Sequence, residues 1–563
     1  MSSRRSNRRI RLLLFVFVLL FAVTLGRAAW LQIVKGADYQ RLALNEHRET
    51  VSIPAGRGTI LDRRSEPLAI GEQTTTVFAD PRAITDPKRA ALAAGKALGL
   101  EPNLLYTHLT DRKLGFVYVA RKADPLAAVT LSRQHISGLG FYPEEQRVYP
   151  QGGVAAQVVG FAGTDNRGLE GLEHSFDATL AGRPGSRTIV QDPFGRIVDV
   201  VKLRPERRGR NVTLTIDHQI QANAEAILAE TVRKWHAKGG SVIIHDPRTG
   251  QILAMANAPG FDANRFGSVN PELRRNRAVT DVYEPGSTFK LVTISGALEN
   301  GIVTPRTPFT LPPTIKVADR TIHDAETRGT ERMTVAQILA HSSNVGTVTI
   351  AERLGPGELS RWVRRWGFGD STGVDFPGES SGMVLPLDQW SGSTIGTVPI
   401  GLGIAVTPLQ MAAAYATIAN KGVRMAPRLV LKIGGHRVKP ARGHRVVSRS
   451  TARKVMAMLR DVVVQGTGTE AAIPGYTVAG KTGTANKPTS RGYSTTKYVA
   501  SFVGIVPARN PRLVVTVVID EPQGTIWGGV VAAPAFAKIA QFDLQYLEVP
   551  PDAPKTRFLA GAR

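Results

Sequence analysis

Apolar positions first crowd together near the N-terminus. Leu12 to Leu25 reads LLLFVFVLLFAVTL, and apolar character resumes past Arg27 through Ala28, Ala29, Trp30, Leu31 and Ile33. A membrane span takes about 20 such residues, so the pattern predicts a transmembrane helix over 12–34. Arg4, Arg5, Arg8, Arg9 and Arg11 make residues 1–11 a basic tail. Such a cluster predicts a cytoplasmic N-terminus with the remainder exported. The rival is a cleaved signal peptide, because Gly26, Ala28 and Ala29 are small. The apolar pattern continues past those residues, which favours an uncleaved anchor.

Beyond the anchor the periodicity changes. Tyr39 to Glu49 predicts a short polar helix, broken by Pro54-Ala55-Gly56. Lys88 to Leu98 predicts a helix, and Thr188 to Val201 a hairpin turning at Asp192-Pro193-Phe194-Gly195. The basic, apolar-poor stretch Lys202 to Arg210 reads as a connector. A second module opens with Asn211 to Asp217, a strand by alternation, and Gln219 to Lys234, an amphipathic helix. Ser241 to His245 and Gln251 to Ala256 predict a hairpin around Asp246-Pro247-Arg248-Thr249-Gly250. Helical patterns dominate from Ser287 to Ile418. Strands return at Tyr476 to Ala479, Val499 to Val506 and Leu513 to Asp520, and a helix closes the module at Pro534 to Gln545. Strands, then helices, then strands predict an α+β chain: a mainly antiparallel sheet with a helical insertion. The expected domains are residues 40–205 and 211–546, followed by a loose tail over 547–563.

With 563 residues and 42% hydrophobic content, the chain can bury several cores. No cysteine is present, which excludes disulfides, thiol nucleophiles and thiolate metal sites. The net charge is +25. Part of it lies between Lys421 and Arg460, a stretch without Asp, Glu, Phe, Tyr or Trp. Single-strand nucleic-acid binders interleave basic residues with stacking aromatics, so this stretch reads as a solvated basic face or a contact for anionic wall or membrane material. No nucleic-acid partner is expected.

The candidate chemistry lies in three short motifs. Ser287-Thr288-Phe289-Lys290 is S-x-x-K at a predicted helix start, with serine and lysine on one face. A helix N-terminus favours negative character on the serine oxygen. A lysine with lowered pKa can take its proton, and burial or a second cation lowers that pKa. Alone the motif is weak, since about one copy arises by chance in such a chain. Ser342-Ser343-Asn344 is S-x-N on an interhelical loop. Lys481-Thr482-Gly483-Thr484 follows a predicted strand and offers hydroxyls, an ammonium and backbone N–H groups to an extended anionic peptide. Gly475 to Thr482 also matches the phosphate-loop pattern G-x-x-x-x-G-K-T. Its intervening residues are strand-like and Gly483, Asn486, Pro488 and Gly492 follow, so no helix starts where that loop needs one. His245, His323 and His341 lack metal-ligand spacing and read as structural or surface residues; no metal or cofactor is expected. Trp362, Trp366 and Phe368 read as helical packing.

Taken together, S-x-x-K at 287, S-x-N at 342 and K-T-G at 481, in that order and context, resemble the motif set of penicillin-binding proteins and class A β-lactamases. The chain resembles a class B penicillin-binding protein over nearly its whole length. Tyr283-Glu284-Pro285-Gly286 resembles the division-type branch. RGTILDR at 57–63, Arg147 to Pro150, and Gly168 to Glu173 resemble the family's non-catalytic N-terminal module. Thr407 to Gln410 and Gly466 to Thr469 resemble its catalytic module. Ser65 stands where the family usually has glycine.

The resemblance implies a membrane helix, a mixed α/β pedestal of the dimerisation type, and a β-lactamase-like transpeptidase domain with an all-helical subdomain. It implies Ser287 as nucleophile, Lys290 as general base, and Ser342 and Lys481 as proton shuttles. Asn344, Thr482, Gly483 and Thr484 would bind substrate, with backbone N–H groups of Ser287 and Thr484 as the oxyanion hole. The implied activity is D,D-transpeptidation of peptidoglycan stem peptides in septal wall synthesis, with covalent β-lactam binding. The implied partners are the cytoplasmic membrane, a membrane-embedded glycan polymerase and division-complex proteins. Residues 40–210 carry no acidic motif resembling a glycosyltransferase. The alternatives are an elongation-type transpeptidase, a carboxypeptidase or β-lactamase-like hydrolase, a β-lactam sensor, and a non-enzymatic scaffold.

Overall fold

The computed structural model describes residues 3–38, 48–191, 197–490 and 492–553. The chain divides into two compact units. One comprises residues 1–56 and 182–209; the other comprises 57–181 and 210–563.

In the first unit, a helix runs from Ser3 to Ala29 and continues as a wider turn over Trp30–Val34. The basic tail is thus helical from its third residue. Asn7–Val34 is the one span among the described residues long and apolar enough to cross a membrane. The Arg27 guanidinium lies 5.6 Å from the centre of the Trp30 ring, a cation–π contact at the end of the apolar run. The unit also holds a three-stranded antiparallel sheet in which Gly185–Gln191 pairs with Arg48–Ile53 on one side and Ile197–Arg204 on the other. Two expectations change here. The helix predicted over 39–49 lies outside the described residues up to 47, and Arg48 and Glu49 belong to a strand. The connector begins later than expected, because Lys202 to Arg204 still pair in the sheet. The turn predicted at 192–195 lies outside the described residues.

The second unit is built on two sheets. One runs through the stretch 57–181 and on into the later part of the chain. Its strand Ile60–Leu61 pairs antiparallel with Pro67–Ala79 and parallel with Val212–Leu214, which pairs in turn with Val430–Ile433. Residues 60–79 and 430–433 therefore share one sheet, although 350 residues separate them in sequence.

The other sheet carries the site. Its elements are α1 (His218–Lys234), β1 (Gly239–His245), β2 (Ile252–Ala258), β3 (Ala479–Thr489), β4 (Gly492–Val506), β5 (Leu513–Asp520) and α7 (Ala533–Tyr546). Between β2 and β3 come α2 (Lys290–Glu299), α3 (Val335–Ala340), α4 (Asn344–Leu354), α5 (Pro408–Ala419) and α6 (Arg449–Gln465). The strand order is β2-β1-β5-β4-β3, antiparallel throughout. Alternation along β4 sends Phe502 to one core, with Ile220, Val515 and Phe536 of α1, β5 and α7. Its neighbour Val503 faces the other core, with Leu291, Ile338, Trp362 and Tyr415. The sheet is thereby covered on both faces, and β3 keeps one free edge.

The region between β2 and β3 is less purely helical than its pattern predicts. Pro308–Leu311 pairs with Glu331–Thr334, and Thr314–Val317 with Arg320–His323. The basic stretch is also not wholly a solvated face, since Arg424 is buried and donates to Trp366 O at 2.9 Å. The tail expected to be loose is docked as far as Ala553. Tyr476 OH donates to Val549 O at 2.7 Å, Thr477 N to Asp552 Oδ1 at 2.7 Å, and Val549 is buried. Residues 554–563 lie outside the described residues.

Candidate active site

The S-x-x-K segment is set by backbone contacts on both sides. Tyr283 and Val406 exchange two backbone hydrogen bonds of 3.0 and 2.9 Å. Gly286 N donates to Gly401 O at 3.1 Å. Gly286 has φ +54°, and a Cβ there would lie 2.8 Å from Thr484 O. Glycine is required both for the backbone conformation and for this close approach. Gly286–Phe289 then forms a tight turn that runs straight into α2. Ser287 is half-buried at its start. Tyr415 OH holds Thr288 O at 2.9 Å from α5.

Lys290 is fully buried. Its Nζ donates to Ser342 O at 2.6 Å, Asn344 Oδ1 at 2.7 Å and Ser342 Oγ at 3.3 Å. The spacing placed the lysine within reach of Ser287. In the structure its hydrogen bonds go to the S-x-N turn instead. That turn joins α3 to α4, as expected, and Ser342 adopts φ +60°. A non-glycine residue there costs about 1–2 kcal/mol. Asn344 Nδ2 donates to His323 O at 3.0 Å.

The K-T-G motif does not follow a strand; it lies inside one. Lys481 to Thr484 occupy β3 and pair with Ala500 to Val503 of β4. This also removes the strand-to-helix junction that a phosphate loop needs. A Cβ at Gly483 would meet Ser501 Oγ and, at 2.8 Å, Pro285 O, so the glycine lets β3 close on the S-x-x-K segment. Thr482 Oγ1 lies 2.7 Å from Thr467 Oγ1, and Thr484 Oγ1 accepts from Gly528 N at 3.1 Å. Lys481 is fully buried, its Nζ 3.3 Å from Thr482 O and Thr482 Oγ1.

Burial sets the charge state of this centre. It pushes Lys290 down to about 7, with Asp324 pulling the other way. Burial, and then the charge of Lys290, hold Lys481 well below the usual lysine range. A deprotonated amine is thus within reach near neutral pH beside the Ser342 hydroxyl, one helical turn along from Ser287. Acyl transfer needs that combination.

The three motifs therefore come together: Lys290 bonds Ser342 and Asn344, its charge acts on Lys481, and a Cβ at Gly286 would lie 2.8 Å from Thr484 O. Of the three histidines weighed in the sequence, His323 touches these residues, through its backbone carbonyl on Asn344 Nδ2. His245 is buried in β1, where burial pushes it down to about 4, and His341 is exposed. Trp362, Trp366 and Phe368 are core residues, as expected. Gly401 and Asp324 stand in no motif read from the sequence, and Glu284 stands in the Tyr283–Gly286 motif without an assigned contact. Glu284 Oε1 accepts from Gly403 N at 2.7 Å and Tyr493 OH at 2.9 Å.

Residues 240–541 match the family model of the penicillin binding protein transpeptidase domain, and 52–214 that of the penicillin-binding protein dimerisation domain. The chain belongs to the penicillin-binding-protein transpeptidase family. As a member, it is 35% identical over 561 residues to the peptidoglycan D,D-transpeptidase FtsI of Escherichia coli K12, covering 97% of this chain and 93% of that protein. It is 35% identical over 573 residues to penicillin-binding protein PbpB of Mycobacterium tuberculosis, covering 95% and 84%. A crystal structure of penicillin binding protein 3 from Mycobacterium tuberculosis in complex with aztreonam superposes with a TM-score of 0.72 at 33% identity, covering 90% of this chain and 99% of that one. The dimerisation-domain match crosses the boundary between the two compact units of this penicillin-binding protein at residues 56–57, 181–182 and 209–210.

Proposed function

We propose that this protein is a serine peptidoglycan D,D-transpeptidase of septal wall synthesis. The observation that carries the reading is the buried Lys290 amine, bonded to Ser342 and Asn344 and one helical turn from Ser287. Ser287 Oγ attacks the penultimate D-Ala carbonyl of a stem peptide. Its proton passes to neutral Lys290. The carbonyl oxygen gains negative charge, taken up by the N–H groups of Ser287 and Thr484; each such donor is worth about 2.7–4 kcal/mol. The C–N bond breaks, and Ser342 and Lys481 return the proton to the departing D-Ala amine. A second stem peptide's amine attacks the ester, gives up a proton along the same route, and frees Ser287.

Thr482 and Thr484 recognise the terminal carboxylate, and the glycine at 483 keeps the strand close to the nucleophile. Asn344 holds the acyl-side amide, exchanging one of its present partners for substrate. β-Lactams enter as mimics of D-Ala-D-Ala and stop at the ester. Residues 40–205 act as a non-catalytic pedestal and 211–546 as the catalytic domain. The N-terminal helix anchors the protein in the cytoplasmic membrane as a single pass with residues 1–11 inside. A membrane-embedded glycan polymerase and division-complex proteins supply the strands to be joined and control the enzyme.

The test is labelling of the full chain in detergent with a fluorescent penicillin, wild type beside Ser287→Ala. Labelling of the wild type alone, together with cross-linking of a synthetic stem-peptide donor to an added amine, is the expected result. A folded wild type that takes no label would sink the reading. Label without amine transfer would favour the hydrolase alternative.

A further inference from the structure

The S-x-N turn is strained at Ser342, and a strained turn keeps its shape only if its surroundings hold it. Lys290 holds it from one side. The other side is held by the end of the Arg320–His323 strand and the residue after it, Asp324. Its Oδ1 accepts from Val345 N at 2.9 Å, and its Oδ2 lies 2.9 Å from the Ser343 hydroxyl, which donates to it. The same Ser343 Oγ accepts from Gly346 N at 2.9 Å. Asp324 therefore satisfies an N–H in the first turn of α4, where a carboxylate is favoured. Its carboxylate is held in turn by an ion pair with Arg328, both side chains nearly buried. His323 O takes Asn344 Nδ2 at 3.0 Å, and the His323 ring nitrogen Nδ1 lies 2.7 Å from Asp324 O.

We propose that Asp324 is a positioning residue for acyl transfer: it clamps the Ser342–Asn344 turn in the shape that presents both residues to Lys290. The proposal rests on the transpeptidase reading above. Asp324 touches none of the reacting atoms. It acts through Ser343 and the start of α4, and through its charge. The charged groups facing Lys290 are Asp324, held by Arg328, and Lys481 on β3. Asp324 is the anion among them, and it opposes the effect of burial on the lysine. Removing that charge makes Lys290 easier to deprotonate while loosening the turn it serves. A residue that only stabilised the fold would lower the rate and leave the pH profile in place.

The experiment is the second-order rate of acylation by a fluorescent penicillin, measured on the full chain from mildly acidic to mildly alkaline pH. In Asp324→Asn the plateau rate should fall by about ten-fold, and the acid limb should move to lower pH by about one unit. Ser343→Ala keeps the charge, so its rate should fall with the limb unmoved. Arg328→Gln leaves the carboxylate uncompensated and should move the limb the opposite way. Melting temperatures of the three variants show that each is folded. If Asp324→Asn acylates within two-fold of wild type, or slows with its limb unmoved, the proposal is wrong. A wild type that takes no label would instead overturn the transpeptidase reading and is recognised before any variant is compared.

Discussion

Lys290 Nζ lies 2.7 Å from Asn344 Oδ1, and this pair joins the S-x-x-K and S-x-N motifs. The bond persists whether the lysine is charged or neutral, because an amine still donates. Its charge state alone decides whether it can receive the serine proton. Burial holds Lys290 at about 7, so below that pH the base is occupied. Acylation by penicillin should rise about ten-fold per pH unit below neutrality and level off above it. A profile flat between pH 6 and 8, on the order of the window set by this pKa, would exclude Lys290 as the base.

The approach of β3 to the nucleophile depends on backbone without side chains. A Cβ at Gly401 would fall 2.2 Å from Gly286 O, and one at Gly286 2.8 Å from Thr484 O. Both positions also have positive φ, +80° and +54°. Gly286→Ala and Gly401→Ala should each cost about 1–3 kcal/mol and slow acylation further than the loss of folded protein explains. Labelling rate per folded molecule, with folding followed by thermal melting, separates the two effects.

Ser65 follows the RGTILDR segment with φ +74°, and its N donates to Asp62 O at 3.1 Å. The family's usual glycine takes this conformation without a steric penalty. Ser65→Gly should therefore stabilise the protein by about 0.5–1 kcal/mol, read as a raised melting temperature with unchanged penicillin labelling. A lowered melting temperature would mean that the serine makes a compensating contact.

Glu173 is fully buried between two arginines, 2.7 Å from Arg57 Nε and 2.6 Å from Arg147 Nε. Glu173→Ala would leave the buried Arg147 guanidinium without its carboxylate, while Arg57 would keep Asp177 at 2.7 Å. The expected loss is about 3–5 kcal/mol, seen as a lower melting temperature and earlier proteolysis within residues 57–181. Glu173→Gln, which keeps hydrogen-bonding atoms but not the charge, should fall between wild type and alanine.

These cases mark what the sequence could carry. Amphipathic helices such as His218–Lys234 and strands rich in β-branched residues such as Leu513–Asp520 have the periodicity of their structures. The residues of β3 do not. Ala479 to Thr489 contain two glycines, two lysines and a proline, and no apolar alternation. Pairing with β4 makes them a strand, and pairing partners are not written in local sequence. The short hairpins between 308 and 334 were illegible for the same reason, and Asp324 went unseen with them. The eight site residues were legible because three short motifs occur in order, each where its chemistry needs it. Their hydrogen bonds were not: the sequence placed Lys290 toward Ser287, whereas the fold ties it to residues 52 and 54 positions on.

The strand order has a consequence for how the protein comes into being. β5, Leu513–Asp520, lies between β1 and β4, although it is the last strand among the described residues. β1 must wait for it through all the residues from 246 to 512. At about 5–20 residues per second this delay is on the order of ten seconds to a minute. By then Ser287, Lys290, Ser342, Asn344 and Lys481 have all been synthesised, without the sheet that aligns them. A chain ending before residue 513 would carry every catalytic motif and no catalytic centre. Activity is the last property the growing polypeptide acquires.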